Sequence, residues 1–306
     1  MDKKIKSVKS IHVDYAMENP SNPAETEWIE KETYTASLNE FDPQGDILKA
    51  SSYNHDQEIH EFYEYKYNEN HKVVEELCYF DEDQVAEHKF IEWDENGLAV
   101  SEKIIYQEDG SETTSYFTYN EAKQVIEKRI LDQDDELEEL DKFEYDGDKL
   151  ISESKFDCDM KLVYTNKYKF DEKGNMIEYE HSSSDPYEFL RHEYFYNEQG
   201  EREKVLKYNY KNMLVEKNIM EFDEQGNLIE LFEETQTTKK TTKLYYDDNG
   251  NQIKQEEFNE DDEIIISIDR TYDADNQMLE SLVFAQNPDD GVQQMYAYRY
   301  EYEYWE

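Results

Sequence analysis

A nine-residue phrase recurs along the chain at a nearly fixed interval, and this recurrence restricts the fold more than any other feature. "FDEQGNLIE" starts at Phe222 and "FDEKGNMIE" at Phe170, with looser copies such as "FDPQGDILK" at Phe41 and "YDDNGNQIK" at Tyr246. Copies begin at Phe41, Tyr67, Trp93, Tyr119, Tyr145, Phe170, Tyr196, Phe222, Tyr246 and Tyr272, so the spacing is 26 residues with slips to 25 and 24. A period between 20 and 50 residues signals a repeat architecture. No linker breaks the series. The expectation is one domain over 1–306, with an N-terminal cap at 1–37, repeats at 38–290 and a capping strand at 291–306.

Each copy reads aromatic, Asp or Asn, two variable residues, usually Gly, another variable residue, then apolar positions. Asp or Asn suits the first position of a type I turn and Pro the second, where Pro43 stands. Gly at the fourth position supplies the left-handed residue that closes a three-residue hairpin with a bulge. Gly45, Gly97, Gly174, Gly200, Gly226 and Gly250 fall there, and Asn276 takes the same slot. Such a turn pairs Phe170 with Met176 and Phe222 with Leu228. In "YDGDKLI" one residue is missing, and a two-residue type II′ turn starting at Gly147 still pairs Tyr145 with Leu150. The register survives the deletion, which a helix would not allow.

A second large side chain two residues before each aromatic, Tyr65, Phe117 or Tyr168 for example, shares its face by strand alternation. The predicted fold is all-β: about ten 26-residue β-hairpin repeats stacked into one elongated curved sheet or open superhelix. A five-bladed β-propeller, two repeats per blade, is the alternative. The tail "YAYRYEYEYWE" places Tyr298 at the repeat's aromatic position with no turn after it. It reads as a cap, with self-association through the edge of 296–304 as the second reading.

The phrase resembles the tyrosine-aspartate (YD) repeats of Rhs and teneurin-type proteins, carried by Tyr246-Asp247 with Gly250, Phe222-Asp223 with Gly226 and Leu228, and Phe170-Asp171 with Gly174. The resemblance implies a β-strand shell, in some members built around a toxin. The chain departs from that family in its longer period and in lacking Arg after the Gly, where Asp46, Leu98 and Asn227 stand. It also has no self-cleaving "DPxGL" segment.

Charge narrows function. There are 77 acidic and 32 basic residues, a formal charge of −45. Such acidity with 37% hydrophobic residues fits a disordered chain, but 14% aromatics at regular intervals argue for a folded one. Direct nucleic-acid binding needs Lys and Arg against phosphates, and this field repels them. It steers a basic partner instead. The turns between hairpins are themselves acidic, and Asp81, Asp83, Asp109, Asp134, Asp135, Asp159, Asp261 and Asp262 are the candidate partner-binding rim. The same turns offer weak Ca²⁺ binding as a lesser reading.

No sequence motif marks chemistry. Carboxylates are too common to single out a pair, and the seven histidines form no zinc spacing. Cys78 and Cys158 read as free thiols. There is no Gly-rich phosphate loop or nucleophile elbow. The expectation is therefore a non-enzymatic, cofactor-free binding protein. In its concrete form it is an immunity or antitoxin-like factor capturing a basic protein such as a toxin. A nucleic-acid mimic and a structural shell fragment are the alternatives. No apolar run suits a signal peptide or a membrane span, so a cytoplasmic protein without membrane contact is expected.

Overall fold

The computed structural model describes residues 4–18, 27–81, 84–287 and 291–306. Its strands are β1 Ile5–Met17, β2 Trp28–Phe41, β3 Ile47–Tyr53, β4 Ile59–Tyr67, β5 Val73–Asp81, β6 Gln84–Trp93, β7 Ala99–Tyr106 and β8 Glu112–Tyr119. Next come β9 Val125–Asp132, β10 Leu137–Asp146, β11 Lys149–Asp157, β12 Leu162–Phe170, β13 Met176–Ser183, β14 Leu190–Tyr196 and β15 Arg202–Asn209. The last are β16 Leu214–Phe222, β17 Leu228–Thr235, β18 Lys239–Tyr246, β19 Gln252–Phe258, β20 Ile264–Tyr272, β21 Met278–Gln286 and β22 Gln293–Tyr304. A 3-10 turn, Pro186–Glu188, sits between β13 and β14.

All 22 strands belong to one antiparallel sheet, so the all-β expectation holds. The open superhelix and the propeller do not. Strand β1 pairs with β2 on one side and with β22 on the other, from Ile5↔Tyr304 to Asp14↔Tyr296. The sheet therefore closes on itself with the topology of a 22-strand β-barrel. Local turn chemistry sets each hairpin but carries no signal for the meeting of first and last strands, which is why the repeat pattern suggested an open stack. Strand β22 is bonded to β21 as well as β1, so 296–304 is not the open edge expected for self-association.

Contacts divide the chain into one unit of Met1–Glu64, Tyr79–Gln84 and Met220–Glu306 and another of Tyr65–Cys78 and Val85–Ile219. In the first, the closing strands bury Val13 and Ala297 completely, and the two residues face each other in the ladder. In the second, Leu140 and Val205 are, among the described residues, the buried aliphatic ones besides Ala86. So few buried apolar side chains leave stability to the ladder and to side-chain pairs on each face.

The turns follow the sequence logic closely. Phe170 pairs with Met176, Tyr272 with Met278, and Tyr145 with Leu150. At the Phe222 copy, Asp223 N–H donates to Asn227 O at 2.9 Å and Gly226 N–H to Asp223 O at 3.1 Å. Gly226 has φ +85°, the left-handed slot that closes the turn. The acidic turns at the far edge, between one phrase hairpin and the next, use the same device: Asp132 N–H donates to Glu136 O at 2.9 Å, and Asp135 takes φ +62°. Gly110 closes a longer turn, yet also has φ +72°, so it is as constrained as Gly226.

A further element joins one hairpin to the next. The leading aromatic reaches back to the carbonyl that follows the previous phrase turn. Tyr119 Oη donates to Ala99 O at 2.8 Å, Tyr145 to Val125 O at 2.9 Å and Tyr196 to Met176 O at 2.7 Å. Tyr272 donates to Gln252 O at 3.0 Å, and Trp93 makes the same bond to Val73 O through Nε1 at 2.8 Å. At the end of the chain Tyr302, not Tyr298, takes this position, donating to Met278 O at 2.9 Å.

Candidate functional site

The predicted rim residues that the structure describes are all exposed, while Asp83 lies outside the described residues. Asp81 ends β5 in the first unit, which also holds Asp261 and Asp262; Asp109, Asp134, Asp135 and Asp159 belong to the second. Asp134 and Asp135 share one turn, Asp261 and Asp262 another, and Asp109 and Asp159 each stand in a turn of their own. Their roles also differ. Asp135 and Asp262 sit at φ +62° and +61°, so each closes its turn as well as carrying charge. Asp109 Oδ1 accepts the Ser111 N–H at 2.9 Å, and that bond holds its carboxyl below the usual range. Asp159 is partly neutralised by Lys161 Nζ at 2.8 Å.

Sequence reasoning passed over the residues that build these turns. Asp132 Oδ1 accepts N–H from Asp134 and Glu136, both at 2.9 Å. Asp157 does the same for Asp159 and Lys161, and Asn259 for Asp261 and Glu263. The signal was present: Asp or Asn three residues before the left-handed position, as in the phrase itself.

Most cations sit on the strands. Lys49–Glu64 at 2.7 Å, Lys169–Glu178 at 2.5 Å, Lys207–Glu216 at 2.5 Å and Lys240–Glu233 at 3.1 Å are pairs between directly facing strand residues. Among the described residues, no ion pair forms at Asp134, Asp135, Asp261 or Asp262. The strands thus neutralise their own carboxylates, and the excess negative charge stands at the turns.

One face of β11–β14 holds a half-buried polar cluster that sequence reasoning did not single out. Glu153 accepts from Tyr164 Oη at 3.3 Å, Asn166 Nδ2 at 3.3 Å and Tyr168 Oη at 3.4 Å. Asn166 Oδ1 in turn accepts from Tyr179 Oη at 3.0 Å and meets His181 Nδ1 at 2.8 Å. Ladder register explains the grouping, since Asn166 faces both Glu153 and His181, and Tyr168 faces Tyr179. Burial, with Glu153 adding to it, pushes the Tyr164 and Tyr168 hydroxyls up to about 12. Burial also lowers His192, whose ring lies tilted by 60° against Tyr179 at 5.4 Å between ring centres. The period-2 run Tyr164-Asn166-Tyr168 is the sequence trace of this cluster. Its acceptors are committed to neighbours, so it locks β11, β12 and β13 together.

No family model and no curated protein matches the sequence. Among solved structures, the chain is similar to part of the TcdB2-TccC3-Cdc42 complex, with a TM-score of 0.44 and 11% identity over 96% of this chain and 20% of that one. It is also similar to the Photorhabdus luminescens Tc holotoxin pore, with a TM-score of 0.41 and 12% identity over 83% of this chain and 15% of that one. A porin-like protein from Bacteroides uniformis gives a TM-score of 0.32 and 9% identity, over 98% of this chain and 96% of that one. The chain thus spans a fifth or less of the two toxin chains. At such TM-scores the likeness is loose and carries no function across.

Proposed function

We propose that the protein captures a basic protein partner, with the turn carboxylates steering the encounter and no reaction following. The observation that carries this reading is the division of charge: cations pair with strand carboxylates, while Asp134, Asp135, Asp261 and Asp262 stand exposed without an ion pair. Charges arranged in this way raise association rates and make them fall with salt. Neutralisation of a basic toxin is the concrete form.

The test starts with affinity capture from the native cell at low and high salt, followed by kinetics on the recovered partner. A variant with Asp109, Asp134, Asp135, Asp261 and Asp262 changed to Asn should associate more slowly, with a shallower salt dependence and nearly unchanged dissociation. Side chains at these exposed turn positions leave the ladder untouched, so folding should survive. Wild-type rate and salt slope in that variant would make the turn charge merely solvating and sink the proposal.

A further inference from the structure

Three consecutive far-edge turns in the second unit break the acidic pattern. The turn after β11 exposes Met160 (50%) and is followed by Leu162; the loop after β13 exposes Tyr187 (71%); the turn after β15 exposes Tyr210 and Met213, followed by Leu214. Strands β11 to β16 are paired in succession, so these turns are neighbours. Direct contacts join them. The Tyr187 and Tyr210 rings meet edge-on at 4.8 Å, Arg191 Nη2 donates to Asn212 Oδ1 at 2.8 Å, and Ser184 N–H donates to Val163 O at 3.3 Å. Residues 157–163, 184–191 and 209–214 together carry a net charge of only −1, whereas the adjacent turn 132–136 alone carries −4.

An exposed apolar group bordered by charge marks an interaction site in a soluble protein. Tyr, Met and Arg are the residue types enriched at the centre of protein interfaces, with polar residues around them. We infer that this patch is the docking centre for the basic partner, and that the occupant presents an apolar surface surrounded by Lys and Arg. The inference rests on the reading under Proposed function. Charge complementarity selects this occupant: the neighbouring −4 turn attracts cations, and a second copy at −45 is repelled. Steering and holding then fall to different residues, the acidic turns setting the approach and the aromatic and Met side chains setting the lifetime of the complex.

Two labelled peptides of equal length and charge test this, one amphipathic with Lys and Leu, the other with Ser in place of each Leu. Wild type should bind the Lys/Leu peptide more tightly at low salt. The triple variant Tyr187→Ser, Tyr210→Ser, Met213→Ser should lose about tenfold or more for that peptide, as expected when clustered anchor side chains are removed. Its affinity for the Lys/Ser peptide should not change. Because the triple variant could misfold, a second arm attaches a bulky maleimide to exposed Cys158 in a Cys78→Ser background; it should block the Lys/Leu peptide selectively. Equal binding of the two peptides by wild type, or no loss in either arm, overturns the docking centre while leaving steering intact. Failure of wild type to bind either peptide overturns the steering reading itself. Salt-induced dimers abolished by the triple variant would give the patch to a second copy and also refute the inference.

Discussion

The carboxylate of Asp223 accepts N–H from Gln225 at 2.9 Å and Asn227 at 2.8 Å, and Asn227 Nδ2 returns a bond to its other oxygen at 2.9 Å. The Asn227 side chain, followed by these backbone N–H groups, holds the carboxyl below its usual range. A carboxyl with a lower pKa in the fold than in the unfolded chain stabilises the fold above the unfolded value of about 3.9. That contribution is lost as pH falls through the folded value. Asn68 and Asn197 hold the equivalent position with the same acceptor pattern, so neutral oxygen suffices for the turn. Asp223→Asn should therefore melt like wild type at pH 7 and show a flatter decline below pH 4 in a pH series of thermal melts. Asp223→Ala should melt about 2 °C lower at pH 7, the effect of losing a turn hydrogen bond in a chain of this size, with the gap narrowing below pH 4 as the wild-type carboxylate is protonated. A wild-type melting temperature for the Ala variant would remove the turn from the list of stabilising features.

At the scale of strands and hairpins, the aromatic-to-carbonyl bond links repeats that the ladder alone would leave free to slide. Phe41, Phe170 and Phe222 lack the hydroxyl and have no such donor; at Phe170 the ring instead carries Lys149 Nζ at 5.3 Å. Tyr145→Phe should then cost about 0.5–1.5 kcal/mol in denaturant unfolding, while keeping the Tyr145 ring's packing. The Glu153 cluster makes a different prediction. Tyr164 and Tyr168, raised to about 12 by burial and by Glu153, favour the fold fully below their unfolded value of about 10, and this is lost as pH climbs towards 12. Tyrosinate absorbance should show a late-titrating class in wild type that moves earlier, without reaching the ordinary value, in Glu153→Gln. An unchanged late class would exclude Glu153 as a cause. Register and turn type were legible in the sequence because each is decided within nine residues. The cluster was not, since Glu153, Asn166 and His181 meet only through pairings across three strands. The docking patch was missed for a simpler reason: the turn after β11 was read by Asp159, and the exposed Met160 and Leu162 beside it were passed over.

Closure belongs to the whole molecule. Repetition announces what each hairpin does to its neighbour and is silent on whether the last meets the first. The trace lay in two stretches outside the phrase, the alternating "IKSVKSIHVDY" and the tyrosine tail, which pair as β1 and β22. Their backbone junction extends to the chain ends, where Trp305 N–H donates to Lys4 O at 2.9 Å and Lys4 Nζ reaches Pro43 O at 2.6 Å. Residues 4 and 305 are so close that a circular permutant is possible in which a short Gly-Ser linker joins residue 305 to residue 4 and new ends open between Asn249 and Gly250. Exposed turn tips are the sites where such cuts are tolerated. The cut removes one of many equivalent turns and leaves the β1–β22 ladder inside the chain, so the permutant should fold to the wild-type circular-dichroism spectrum. It should lose little more than the Asp247 turn bonds to Asn249 and Asn251. In an open stack the same short linker would have to span the length of the array and would unfold or oligomerise the protein. A monomer with native spectrum and a melting temperature within a few degrees of wild type is the expected result; aggregation of the permutant, with a control cut at the same turn but no linker behaving normally, would refute closure.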